Sequence, residues 1–224
     1  MNIGWEYFCV AFGGMLVISF LMGLLSVNLF TLHVVIRKFN VIDLEFPASA
    51  LELAALIKGI FLLPADMSRK SLRALKQQLY LDFFLIPFVY GSVFILCIKV
   101  SGKLSSFGRD TFQVLAWLQF VALVFDVIEN IYLLNKIRPQ PAVSKPVAYN
   151  TYLVLEVLKW GLSLTGAVCS IAAICYFWLT GRYSYQSIYY LLIIIAEIVV
   201  ILVAKKITSL SEKEQLKKFE HTAG

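Results

Sequence analysis

The sequence has few charged residues and long apolar runs. Asp, Glu, Lys and Arg make up 15% of its 224 residues, whereas hydrophobic residues make up 60% and the mean hydropathy is +0.80. A soluble domain has about 25% charged and roughly 45–50% apolar residues. The shortage of charge therefore excludes an ordinary soluble domain. It predicts one membrane domain, most of whose surface faces lipid or other helices.

Histidine and cysteine are also scarce. There are two histidines, His33 and His221, and the four cysteines lie in apolar runs without any Cys-x-x-Cys spacing. Haem ligation by two histidines within the bilayer needs a second one there, and zinc sites need clustered His and Cys ligands. We therefore expect no haem and no zinc, and we expect the cysteines to be small buried hydrophobic residues. Serine and cysteine nucleophiles also lack a nearby histidine, so the chemistry of serine or cysteine hydrolases has no support.

The net charge of +6 is not gathered into any motif typical of nucleic-acid recognition. In a membrane protein, Lys and Arg first indicate topology, so we expect no nucleic-acid partner. The first residues, MNIGWEYF, lack a basic region and a cleavage site, and the apolar run after them is too long for a signal peptide. This run is expected to be a retained transmembrane helix.

Five segments are long enough to span a membrane, which takes about 20 mostly apolar residues. They are residues 8–36, 80–100, 112–134, 152–179 and 185–204. We expect an all-α polytopic helix bundle with a membrane domain over residues 1–208 and a short charged tail over 209–224. The loops place 15 Lys and Arg residues on one side of the membrane and 4 on the other. This bias predicts the N-terminus outside and the C-terminus inside.

Two further helices are predicted between the first and second spans. Ser49 and Glu52 form a capping-box pattern before residues 50–63, a stretch of ~21 Å that is too short to span. It is expected to be interfacial or re-entrant. Residues 67–79 form an amphipathic helix that we expect to run into the second span. Its basic side is suited to anionic lipid headgroups and carries Arg69, Lys70, Arg73 and Lys76.

Polar residues inside the spans fall in one leaflet, on the side that we assign to the cytoplasm. At 100° per residue, Asp126, Glu129 and Asn130 share one face of the third span, and Glu156 and Lys159 share one face of the fourth. Asp82 begins the second span on the same side. An unpaired charge in the membrane is costly, so we predict that Lys159 pairs with Asp126.

The carboxylates in the spans outnumber the single lysine, which leaves two interpretations open. In the first, Lys159 and Asp126 form one structural pair while Asp82 and Glu156 are solvated. In the second, the cluster is a pocket that binds a cation, a headgroup or a substrate. Oxygen ligands without His or Cys favour Mg²⁺, Ca²⁺ or Mn²⁺, and the candidate metal ligands are Asp82, Asp126 and Glu129. Asn130, Glu156 and Lys159 complete the candidate substrate-binding set.

Four short stretches carry a resemblance. They are Asp43-Leu44-Glu45, Leu81-Asp82-Phe83, Asp126-x-x-Glu129-Asn130 and Lys159-Trp160. In this order they resemble a group of small uncharacterised bacterial membrane proteins with a DLE, LDF, DxxEN and KW pattern. The resemblance covers roughly residues 40–160 and implies no known activity. It implies that Asp82, Asp126, Glu129, Asn130 and Lys159 belong to one set.

We interpret the chain as a protein of the bacterial inner membrane. The leading hypothesis is a carboxylate-lined pocket in the cytoplasmic leaflet that binds or moves a cation, lipid or small amphiphile. The second is a metal-dependent enzyme acting on a lipid or isoprenoid phosphate, in which Lys159 neutralises charge. The third is a scaffold or assembly subunit whose polar cluster locks helix packing. Membrane lipids are the expected partners, and a homo-oligomer is compatible with the sequence.

Overall fold

The computed structural model describes residues 4–184 and 187–223, with side chains described as far as residue 207. It confirms an all-α bundle, because five helices are long and apolar enough to cross a membrane. The elements in order are α1 Trp5–Ser26, β1 Phe30–Leu32, β2 Ile36–Lys38, α2 Ile42–Glu45, α3 Ala50–Phe61, α4 Ala65–Ser101, α5 Ser106–Lys136, α6 Pro146–Leu179 and α7 Ser187–Ala223. The spanning helices are α1, α4, α5, α6 and α7 as far as Ile207. The side chains of the predicted charged tail, 209–224, lie outside the described ones.

The first span ends ten residues earlier than predicted. Helix α1 stops at Ser26, and residues predicted to continue it form the antiparallel hairpin β1–β2, in which Thr31 pairs with Arg37. The run after Ser26 is rich in β-branched residues, which favour strands. Asn28 and His33 fall within the predicted first span, 8–36, but both follow the end of α1, so their placement in that span is wrong.

Helix α3 packs against the hairpin and begins at its predicted cap. The Ser49 hydroxyl accepts a hydrogen bond from the Glu52 backbone N–H at 3.1 Å. The Thr31 hydroxyl donates to the Leu56 carbonyl at 2.8 Å, which fixes β1 on the helix. A side chain at Gly59 would collide with Thr31 and with the backbone of Leu32. Glycine is required there because the hairpin and the helix approach so closely.

Helix α4 is the centre of the bundle. It contains the predicted basic amphipathic helix and the second span as one continuous helix, and the four predicted basic residues are exposed. It packs against α1, α5 and α6, while α7 packs against α1. One core cluster, with Leu29, Leu44 and Leu75, lies at the end that carries the β-hairpin, which we call the hairpin end. Another, with Trp5 and Phe177, lies at the opposite end. Which end faces the cytoplasm stays a prediction.

The outward faces of the spans are apolar, as expected for contact with lipid. Large hydrophobic side chains such as Val10, Val124 and Val168 are at least half exposed. Two cysteines belong to this face, since Cys169 and Cys175 are exposed, whereas the other two, Cys9 and Cys97, are buried. The expectation of buried cysteines is therefore wrong for two of the four.

Candidate functional site

Lys159 is the centre of a buried polar cluster. Its side chain is 5% exposed, and its Nζ lies 3.1 Å from Asp126 Oδ1 and 3.0 Å from Glu156 Oε2. The same ammonium also contacts Glu129 Oε2. The predicted pair of Lys159 with Asp126 is confirmed, but the lysine serves two more carboxylates. Three carboxylates around one ammonium leave a surplus of negative charge unless protons or a cation neutralise it.

Helical spacing and close packing bring these groups together. Asp126 and Glu129 are three residues apart on α5, and Glu156 and Lys159 are three apart on α6, so each pair shares a face. The two helices meet closely at Gly166, where a Cβ atom would lie 2.7 Å from Gln119 Nε2. Small residues permit this approach. The predicted polar face of α6 therefore points into the bundle.

The remaining predicted residues hold the cluster to α4. The Tyr90 hydroxyl on α4 donates to Asp126 Oδ2 at 2.8 Å. Asn130 Nδ2 on α5 donates to Asp82 Oδ2 on α4 at 2.5 Å. The structure thus places Asp82 and Asn130 beside the lysine cluster, on the same side of the bundle. Tyr90 was not anticipated, because a lone tyrosine in an apolar span carries no distinctive signal.

Glu45 is the acidic residue that the sequence arguments missed. It ends α2, outside every span, and the Trp160 indole donates to its Oε2 at 3.3 Å. Burial raises the pKa of Glu45 to about 7, with Glu156 and Asp126 adding to the rise and Lys159 opposing it. Depth within a span cannot identify Glu45, because α2 belongs to none of the spans. The signal was present in the Asp43-Leu44-Glu45 stretch of the resemblance.

The carboxylates group differently from the predicted metal ligands. Within the described part of the chain, the trio whose oxygens lie within 4.8 Å of one another is Glu45, Glu129 and Glu156. Of the predicted ligands Asp82, Asp126 and Glu129, this trio contains Glu129 alone. Glu156 is fully buried, so the interpretation in which it is solvated is wrong.

A cavity of about 280 Å³ opens beside the cluster. Its walls come from α1, the segment around α2, α4, α5 and α6. The polar lining comprises Glu45, Gln78, Asp82, Tyr90, Asp126, Lys159, Trp160 and Ser163, and the apolar lining comprises Met22, Val41, Ile42, Leu79, Leu85 and Val89. Glu129, Glu156 and Asn130 are not part of this lining and are buried. The wall therefore carries three carboxylates and one lysine.

The wall is suited to a positively charged group attached to an apolar one. Three carboxylates exceed the charge of Lys159, whose ammonium is already shared among carboxylates, so an anion would meet net repulsion. The Trp160 ring, 40% exposed, adds an aromatic surface of the kind that attracts cations. Apolar side chains make up nearly half of the lining residues.

Comparisons with protein-family models, with curated proteins and with solved structures found no match to this chain.

Proposed function

We propose that this membrane protein binds or moves a small amphiphile or cation through the carboxylate-lined cavity, in the cytoplasmic leaflet of a bacterial inner membrane. The observation that carries the proposal is one cavity in which surplus carboxylates and an apolar wall occur together. The apolar lining would add nothing to the binding of a bare ion, and the carboxylates would add nothing to the binding of a neutral hydrocarbon. An amphiphile with a positive head uses both.

The way the acidic residues are held supports a binding surface. Asp82 and Asp126 each accept a hydrogen bond from a neighbouring helix, which fixes their position before a ligand arrives. Preorganised polar groups lower the cost of binding because little ordering remains to be done.

The proposal is tested by binding to the purified protein in lipid nanodiscs, with octylamine, octanol and octanoate as probes. Trp160 lines the cavity, so a bound probe should change its fluorescence saturably, whereas partition into lipid gives a linear change. We expect the saturable change with octylamine and its loss in Trp160→Phe. Trp117, exposed on the outer face of α5, gives the matched control Trp117→Phe, which should keep the response.

The charge requirement is tested with Asp126→Asn against Asp110→Asn, an exposed carboxylate on the same helix. Weaker octylamine binding in the first variant and unchanged binding in the second support the proposal. No saturable response to any of the three probes, in a folded protein, overturns it.

A metal-dependent enzyme acting on a lipid or isoprenoid phosphate is a second candidate. The trio of Glu45, Glu129 and Glu156 favours it, because three oxygens within 4.8 Å could share a divalent ion such as Mg²⁺, Ca²⁺ or Mn²⁺. Against it, the Lys159 ammonium already lies 3.0 Å from Glu156 and contacts Glu129. A rise in melting temperature with millimolar Mn²⁺, lost in Glu156→Gln, would favour the enzyme over the amphiphile-binding protein.

A further inference from the structure

Gln78 has an unusual position in the wall of the cavity. It lies on α4 and is 3% exposed, and its Nε2 donates to the Met22 carbonyl of α1 at 2.7 Å. Its Oε1 is buried and has no hydrogen-bond partner among the described residues. A buried acceptor without a donor is costly to maintain. Because Gln78 lines the cavity, a ligand that donates a hydrogen bond to this oxygen would satisfy it.

The other polar groups of the wall show the same imbalance. Three donors of the wall are already used: the Tyr90 hydroxyl binds Asp126, the Trp160 indole binds Glu45, and the Lys159 ammonium binds carboxylates. The Ser163 hydroxyl, which also lines the cavity, can either donate or accept. The acceptors among the lining residues therefore outnumber the donors that remain unused. Asp82 is four residues after Gln78 on α4, so the two side chains share one face of the helix.

Acceptors of this kind select a particular type of cation. A primary ammonium has three N–H donors and no acceptor, so it can satisfy an amide oxygen and carboxylates together. A trimethylammonium group has the same charge but no N–H to donate. A divalent metal needs six or more oxygens at short range, whereas the carboxylates of this wall are separately tied to other side chains.

We propose that the cavity recognises an amphiphile through a primary or secondary ammonium head, with Gln78 Oε1 and the Asp82 carboxylate as its acceptors. The apolar chain lies along the apolar lining, which includes Met22, Leu85 and Val89. Alkylammonium groups, like the lysine side chain, stay protonated at neutral pH. This inference rests on the proposed function, since it names the head group of the amphiphile that the cavity takes.

The test compares two probes of equal charge and chain length, octylamine and octyltrimethylammonium, on the protein in nanodiscs. One charged hydrogen bond corresponds to roughly a tenfold change in affinity. We expect octylamine to bind about tenfold more tightly in the wild type. In Gln78→Met, which keeps the length of the side chain, the preference should shrink severalfold, because the Asp82 carboxylate then remains as the ammonium's acceptor. Gln77 is the exposed neighbour on α4, so Gln77→Met is the matched control and should keep the preference.

The outcomes separate the inference from the proposed function. If both cations bind saturably with equal affinity in the wild type, the ammonium inference fails and the proposed function stands. If the full tenfold preference persists in Gln78→Met, the inference fails as well, because the Gln78 oxygen then does not bind the ammonium. If neither cation binds, the proposed function itself fails. Should Gln78→Met not fold, Gln78→Leu replaces it, since it also removes the acceptor, and an undiminished octylamine preference in that variant would contradict the inference.

Discussion

Lys159 on α6 donates to Asp126 on α5 across 3.1 Å, and the same ammonium is shared with Glu129 and Glu156. The cluster is therefore asymmetric: one cation serves three acids. Removing the cation leaves several buried carboxylates without a counter-charge. Removing one acid leaves the lysine with two others. An isolated ion pair would lose the same partner whichever residue is removed, so the asymmetry is a property of the three-acid network.

We expect Lys159→Met to lower the free energy of unfolding by about 3–5 kcal/mol, because it leaves buried charge unpaired. Asp126→Asn should cost less, since Lys159 keeps Glu129 and Glu156. The double variant should not regain wild-type stability, because those two acids still lack a cation. Thermal unfolding of the purified variants measures all three, and Lys58→Met, at an exposed lysine of α3, is the control.

A fully restored double variant would contradict this view. It would show that Lys159 and Asp126 are an isolated pair, as in the interpretation where the polar cluster only locks helix packing. The scaffold hypothesis would then gain weight over a binding cavity.

The sequence predicted the polar faces of α5 and α6 because helical angle and depth are local properties. Asp126, Glu129 and Lys159 each follow from counting residues along a helix. The end of α1 does not follow from such counting. Val34 and Val35 continue the apolar run of α1, yet they are strongly exposed at the tip of the hairpin. What decides the hairpin is its packing on α3, and hydropathy along the chain does not record that contact.

Glu45 and the cavity depend on contacts between distant parts of the chain. Trp160 and Glu45 are 115 residues apart. The Tyr152 hydroxyl donates to the Leu44 carbonyl at 2.8 Å and so fixes α2 against α6. Neither tyrosine nor tryptophan near a membrane interface is distinctive, because both are common there. The candidate site could thus be predicted in the spans but not where a loop segment completes it.

The pKa of Glu45, about 7, predicts a pH-dependent affinity for a cationic ligand. Below pH 7 Glu45 is mostly neutral, and above it the carboxylate adds a negative charge to the cavity. Octylamine affinity should therefore increase as the pH rises through 7, and Glu45→Gln should reduce this increase. The charged groups around it are Asp82 on α4, Asp126 and Glu129 on α5, and Glu156 and Lys159 on α6. Titration of octylamine binding between pH 5.5 and 8.5 measures the effect.

Asp43→Asn is the control for this experiment, because Asp43 is exposed two residues away on the same short helix. It should leave the pH profile unchanged. Stability gives an independent check with the opposite sign. The folded state holds the Glu45 proton up to a higher pH than the unfolded state, so its contribution to stability is present below about pH 4.5 and lost as the pH rises through 7. An affinity profile that Glu45→Gln does not change would contradict the assignment.

The close approach of α5 and α6 predicts that Gly166 does not tolerate a methyl group. A Cβ atom there would lie 2.7 Å from Gln119 Nε2 and 2.9 Å from Val93 Cγ1. Gln119 cannot move freely, because its Nε2 donates to the carbonyls of Leu115 and Leu162. We expect Gly166→Ala to lower the free energy of unfolding by about 1–3 kcal/mol, as overpacking does.

Gly161 on the same helix is the matched control. A Cβ atom there has no neighbour within 4 Å, and alanine favours helix over glycine. Gly161→Ala should therefore be neutral or slightly stabilising in the same thermal unfolding assay. Equal effects of the two substitutions would mean that helix propensity, and not the packing of α6 against α5, governs this region.

The exposed basic side of α4 predicts retention of anionic lipid. Its residues are Arg69, Lys70, Arg73 and Lys76, and Arg69 also lies 3.6 Å from Asp66 at the surface. Each basic residue near an anionic surface contributes about 1 kcal/mol. Replacing all four by Gln should reduce the phosphatidylglycerol that remains bound to the purified protein, and raised salt should reduce it in the wild type as well. Native mass spectrometry of protein released from mixed phosphatidylglycerol and phosphatidylethanolamine nanodiscs counts the bound lipids.

The control is the pair Lys103→Gln and Arg109→Gln at the opposite end of the bundle, which should retain the bound lipids. If this pair loses as much lipid as the α4 variant, the basic helix has no special role in binding headgroups.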